Sequence, residues 1–128
     1  PLFRGFNDEF LAPHSRATDV NVSDVAAVPE LEIMALTKEG SLAIAKTKDS
    51  RQFFVTCHAE YDANTLALEY FRDKEKGAEI AVPYGYFPDD DPTKAPVVTW
   101  RSTGQLLYSN WLNFYVYQST PYDIKDIK

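Results

Sequence analysis

Two ionisable side chains two residues apart, His58 and Glu60, and a guanidinium further along, Arg72, are the groups in this chain best suited by type and spacing to do chemistry. A carboxylate on one nitrogen of an imidazole fixes the tautomer, orients the ring and stabilises the imidazolium, which leaves the other nitrogen free as a general base. Positions i and i+2 of an extended chain project to the same side, so the two groups can meet. The planar fork of Arg72 is suited to gripping a substrate carboxylate through two parallel hydrogen bonds. The set is a base and its orienter without a nucleophile. Two plainer readings stand beside it: a surface or capping His58–Glu60 pair, and a helix-surface ion pair between Arg72 and Glu69, worth little.

The elements around these residues follow from the pattern. Gln52 to Cys57 (QFFVTC) is aromatic, β-branched and too short for a helix, which predicts a mostly buried strand delivering His58 into a turn. Asp62 then stands as an N-cap before ANTLALEYFRDKEKG, where Ala63, Leu66, Ala67, Tyr70 and Phe71 recur at spacings of three and four; Lys74 and Lys76 fill the last turn and Gly77 the C′ position. Upstream, Leu31 to Leu36 alternates with Leu31 and Ile33 opposite Glu32 and Met34, Lys38-Glu39-Gly40 makes a turn, Leu42 to Lys46 alternates again, and Lys48 to Ser50 turns once more. The expectation is an antiparallel meander of three strands followed by helices. A rigid strand end leading into a loop and a helix is where α/β proteins place ionisable side chains that act.

Further out, Pro1 to Arg16 carries Phe3, Phe6, Phe10 and Leu11 and reads as a packed loop or short helical turn, and Thr18 to Pro29 as connecting structure. His14 and Ser15 are adjacent, so their side chains diverge and a nucleophilic Ser15 is disfavoured. Ala81 to Pro96 contains four prolines and the run Asp89-Asp90-Asp91. Hard-cation loops space their ligands at alternate positions around a glycine turn, so this reads as a solvated, proline-stiffened loop and not as a metal site. Ser102 and Gln105 have capping-box form, Leu107, Trp111, Phe114, Tyr115 and Gln118 continue at helical spacing, and Pro121 ends the helix.

With 128 residues, 45% of them hydrophobic, the chain suffices for one core. A net charge of −6 argues against a nucleic-acid or anionic-membrane surface. One cysteine permits no internal disulfide, and no secretory or membrane-length apolar run is present, so a cytoplasmic protein is expected. Cys57, next to His58 on an extended strand, would point away from it and reads as a small buried residue.

The segment CHAEYDANTLALEYFRD resembles the signature of the homoserine O-acyltransferases, also called homoserine O-succinyltransferases or transsuccinylases, which typically carry Gly-His-Pro-Glu-Tyr-Asp, a Thr-Leu pair and Phe-Arg-Asp. RGFNDEFLAPHSR, PELEI, VPYGYFPDDDP, TWRSTGQLLYSNWLNFYVYQ and TPYD resemble further family segments in order. The resemblance implies the C-terminal part of a class I glutamine-amidotransferase-like (flavodoxin-like) α/β domain, and residues 1–128 as the C-terminal portion of a single catalytic domain. The implied activity moves a succinyl or acetyl group from acyl-CoA to the hydroxyl of homoserine, in methionine biosynthesis, through an acyl-cysteine upstream of this chain. No bound cofactor is implied; succinyl-CoA or acetyl-CoA is the donor.

By position His58 resembles the family's base, Glu60 its orienting acid, Arg72 the carboxylate-binding residue, and Ser15 a substrate-site residue. Expected partners are homoserine, the acyl-CoA, the upstream portion of the enzyme and a second copy in a homodimer, with no nucleic acid and no membrane. The sequence departs from the family at Cys57 for glycine, Ala59 for proline, and Thr103 and Gln105 where His and Asn are common. Alternatives are a serine or homoserine O-acetyltransferase of the same family, another amidotransferase-like enzyme such as a glutaminase, and a non-catalytic interaction domain.

Overall fold

A computed structural model describes residues 1–120, 123 and 125 of the chain. It is a small α/β arrangement of one three-stranded antiparallel sheet and helices. The strands β1 (Leu31–Leu36), β2 (Leu42–Thr47) and β3 (Phe53–Val55) pair in the order β1-β2-β3, as the alternation and the two polar turns predict. Flanked on both sides, β2 is the buried strand: Leu42 through Ala45 are each at most 5% exposed and Ile44 is fully enclosed. Lys46 is buried with them. Its ammonium is 2.7 Å from Glu32, its cross-strand partner in the register, so the charge is paired where it leaves water.

Two expectations about the sheet need correction. The register slips between Ile33 and Ala35, and this bulge turns Met34 and Ala35 onto the core formed by Leu2, Ala43, Ile44 and Leu107. Met34 therefore does not share the solvent side with Glu32. The last strand is shorter and more open than QFFVTC suggests: it stops at Val55, with Phe54 and Val55 both more than two-fifths exposed. Beyond it Thr56 still donates its N–H to Ala43 O (3.0 Å), and its hydroxyl donates to Leu42 O (2.6 Å). What reads as burial from composition is an edge strand with one half-buried face.

A short helix, α1 (Val22–Ala26), lies inside the stretch read as connecting structure. Asn21 caps it, accepting from the Ser23 N–H, and Val25 packs on Leu42 and Ala45. The aromatic N-terminal segment packs as expected. Leu2 is 1% exposed, and Phe6 meets Phe3 and Phe10 edge-on at 5.3 and 5.1 Å. Asn110 fastens this segment by donating to both Leu2 O and Arg4 O at 2.8 Å.

Helix α2 (Thr65–Glu75) carries Leu66, Ala67 and Tyr70 of the expected apolar face onto Tyr86, Phe87 and Trp100, while Ala63 precedes the helix and Phe71 is 43% exposed, and Gly77 takes the left-handed conformation after it (φ +80°). Its start is two residues later than an Asp62 cap implies, and the cap comes from far away. Asn64 precedes the first turn without a side-chain bond, and the Tyr86 hydroxyl instead accepts from Ala67 N–H (3.2 Å) while donating to Ala63 O. A tyrosine nineteen residues downstream thus satisfies an orphan amide of the first turn.

Helix α3 (Arg101–Trp111) runs on as a wider π-helical segment, Leu112–Tyr117. The capping box is not used. Trp100 precedes the first turn, and its indole N–H donates to Tyr61 O at 2.8 Å, so the helix start is set by tertiary anchoring and not by Ser102. The expected stop at Pro121 lies outside the described residues. Between α2 and α3, the acidic run forms one 3₁₀ turn, Pro88–Asp90, in which Asp89 pairs with Lys94 at 2.6 Å and Asp90 accepts from Gly85 N–H. No helix among the described residues is long and apolar enough to cross a membrane.

Candidate functional site

His58 and Glu60 meet. The imidazole Nδ1 is 2.8 Å from Glu60 Oε1, with the His58 side chain one-third exposed and Glu60 one-half. The backbone that brings them together is not the extended chain the spacing argument uses. Residues 59 and 60 form a turn closed by Tyr61 N–H donating to His58 O (3.2 Å), and His58 N–H donates to Pro13 O (2.7 Å), not to a neighbouring strand. The N-terminal loop therefore holds His58 in place and brings Pro13, His14 and Ser15 beside it.

Tyr61 is the residue that sequence reasoning misses. Its ring stacks on His58 with centroids 4.4 Å apart and planes 20° from parallel, and its hydroxyl donates to Glu69 Oε1 on α2 at 2.9 Å. Burial, then the Glu69 hydrogen bond and charge, push its phenol pKa up, while the Ser15 hydroxyl pulls the other way, which puts Ser15 beside it. The signal was the position itself, directly after the His-Ala-Glu triplet, but an aromatic there reads equally as core.

Arg72 does not pair with Glu69. It takes Asp73 in a two-point contact, Nε to Oδ1 at 2.7 Å and Nη2 to Oδ2 at 3.1 Å, on a side chain 55% exposed. That bond and charge raise the Arg72 pKa and hold the Asp73 carboxyl below its ordinary range. Glu69 keeps one oxygen on Tyr61, and its other oxygen is buried without a partner.

Two neighbours shape the electrostatics. His14 has its pKa lowered, chiefly by burial and then by the charges of Arg16 and His58, so it favours the neutral form beside His58. Cys57 is buried, and burial pushes its thiol up to about 11. A thiol so protonated is a poor nucleophile at neutral pH, in keeping with its reading as a small buried residue. Gly104 of α3 sits against the same turn. A Cβ at that position would stand 2.5 Å from Ala59 O, so only glycine lets the helix lie on the His58–Glu60 turn.

A groove of about 240 Å³, lined by Leu2, Arg51, Phe53, Val55, Leu107, Tyr108 and Trp111, opens between β3 and α3. The Tyr108 phenol in this groove has its pKa raised by burial first and by the Glu60 charge second. Among the described residues no cluster of His, Cys, Asp and Glu has the arrangement of a metal site.

The sequence matches the family model described as homoserine O-succinyltransferase over residues 1–122. The chain belongs to that family. Curated relatives agree with this membership: it is 54% identical over 127 residues to proteins named homoserine O-acetyltransferase from Brevibacillus brevis and Acetivibrio thermocellus, covering 99% of this chain and 42% of each of theirs. A protein of the same name from Clostridium novyi is 53% identical over 124 residues, 97% of this chain and 41% of the relative. The chain thus spans about two-fifths of the length of these homoserine O-acyltransferase relatives.

Proposed function

We propose that the protein carrying this chain transfers an acyl group from a coenzyme A thioester to the hydroxyl of homoserine, and that residues 1–128 are the C-terminal, acceptor-side portion of its catalytic domain. The observation that carries the reading is the 2.8 Å contact between His58 Nδ1 and Glu60 Oε1 in a chain of this family. With Nδ1 held, Nε2 takes the proton of the homoserine hydroxyl. The oxygen then attacks the acyl carbon of a thioester on a cysteine outside these residues. The C–S bond breaks, thiolate leaves, and O-acylhomoserine is released. Glu60 steadies the imidazolium formed in that step.

In this reading Arg72 binds the amino-acid carboxylate, exchanging Asp73 for substrate, and Ser15 contributes to the acceptor pocket beside Tyr61. The names of the relatives favour acetyl-CoA as donor; the family name keeps succinyl-CoA beside it. The remainder of the reading is an amidotransferase-like fold for the whole domain, a cytoplasmic enzyme of methionine biosynthesis, and a homodimer. The experiment is acyl-CoA-dependent thiol release by the full-length protein with homoserine as acceptor. Acyl transfer to homoserine from either donor, lost in His58→Ala, is the expected outcome; near-normal turnover of that variant overturns the assignment of the base, and ammonia release from glutamine without acyl transfer overturns the reaction.

A further inference from the structure

Glu60 contacts His58 at a single atom, which fixes the distance of the ring but leaves it free to tilt about the Nδ1···Oε1 line. Something else must set the plane. The opposite constraint comes from Tyr61, whose ring lies nearly parallel to the imidazole at 4.4 Å. Tyr61 is in turn clamped from three directions. Its N–H closes the turn onto His58 O (3.2 Å), its carbonyl accepts from Trp100 Nε1 at the head of α3 (2.8 Å), and its hydroxyl donates to Glu69 Oε1 on α2 (2.9 Å). Two bonds thus hold the Tyr61 main chain and a third holds its ring, and that ring stacks on the base.

We infer that Tyr61 is a positioning residue for His58, fixing the imidazole plane and, through Glu69, holding it at a set distance from the helix that carries Arg72. The inference rests on the proposed function for its kinetic consequence, though not for the geometry. The arrangement suits a base in two ways. A rigid aromatic face beneath an imidazole keeps Nε2 aimed in one direction, and a misplacement of about 1 Å is enough to cost a reaction a hundredfold. The same face attracts the cation formed when the ring takes a proton. Glu69 is suited to be the anchor, because its second oxygen is enclosed and no competing donor draws the carboxylate away. It also sits one turn before Arg72 on α2, so the tie couples the base to the element proposed to grip the acceptor.

The test is steady-state kinetics on the full-length protein with Tyr61→Leu, Tyr61→Phe and Glu69→Ala, together with melting temperatures and the imidazole ring-proton resonances of His58. Tyr61→Leu is expected to lower kcat about tenfold to a hundredfold with KM for both substrates little changed, and Tyr61→Phe, which keeps the stacked face, to recover all but about threefold. The His58 ring protons move downfield in the leucine variant as the stacked ring is lost. Glu69→Ala leaves the ring in place and tests the anchor should the leucine variant fail to fold; a several-fold loss in kcat is expected. A folded Tyr61→Leu or Glu69→Ala protein with wild-type kcat and unmoved His58 resonances overturns the inference. If wild type transfers no acyl group to homoserine, the functional reading fails, and the His58 resonances still decide the positioning role separately.

Discussion

The carbonyl oxygen of Ala59 occupies the space where a side chain at Gly104 would begin, 2.5 Å from the position of a Cβ. Two backbones so close cannot both stay put if the glycine is replaced, and the one that yields carries His58 and Glu60. Gly104→Ala is expected to destabilise the protein by ~1–3 kcal/mol through overpacking and to lower kcat disproportionately as the turn shifts. Thermal melting read beside turnover checks this; a fall in melting temperature with unaltered turnover would place the strain elsewhere.

Removal of the base is the most direct prediction. His58→Ala should lower kcat by ~10²–10⁴, the usual worth of a positioned proton acceptor, and Glu60→Gln should produce a smaller fall because the ring keeps Tyr61 beneath it. Both are read by product formation under saturating substrates.

Arg72 makes a two-point contact already, with Asp73, so the geometry for a planar carboxylate is preformed. Arg72→Lys keeps the charge and loses the fork. Loss of one charge-assisted hydrogen bond of about 1.5 kcal/mol raises KM for the amino acid about tenfold with KM for acyl-CoA unchanged. Equal effects on both substrates would separate Arg72 from acceptor binding.

Much of this was legible in the sequence, and the losses have a common cause. The meander and the buried face of α2 follow from local periodicity, and the His58–Glu60 contact was expected from spacing, though it is made by a turn and not by the extended chain that expectation assumed. What escaped was set by residues distant in sequence. Trp100, pinned to Tyr61, moved the start of α3 away from Ser102, and Tyr86 caps the first turn of α2 from nineteen residues downstream. Tyr61 itself stands out only when its three clamps are seen. The exposure of β3 depends on which strand lies beside it, which QFFVTC does not encode.

Cys57 should be chemically quiet. With its pKa pushed up to about 11, the thiolate is roughly one part in a thousand at pH 8, so alkylation of the native protein is slow and speeds on unfolding. Cys57→Ala is expected to retain activity at a cost near ~1 kcal/mol in stability. Intact mass after incubation with acyl-CoA should show no adduct at this residue; an adduct would make Cys57 a nucleophile after all.

His14 gives the protein a dependence on mild acid. Its pKa is lowered from 6.5 on folding, mainly by burial, so the unfolded chain binds the proton more tightly. The stability associated with neutral His14 is therefore fully present above pH 6.5 and is lost as pH falls from there through the lowered folded value. The lowered carboxyls, Asp19, Asp49, Asp73 and Asp91, start from 3.8 and act in more acidic solution. Melting curves between pH 7.5 and 5 should show a steeper fall for the native protein than for His14→Gln; parallel slopes would remove His14 from the account.

The clasp of Asn110 onto Leu2 and Arg4 joins residues as many as 108 positions apart. Closing so long a loop is entropically slow, and local contacts in the meander and α2 form without it. On a ribosome the Phe3–Phe6–Phe10 cluster can meet Ala43 and Ile44 of β2 early, but its clasp by Asn110 and its contact with Leu107 wait until α3 has emerged. This aromatic segment is thus fastened late, an interval in which a chaperone has something to hold.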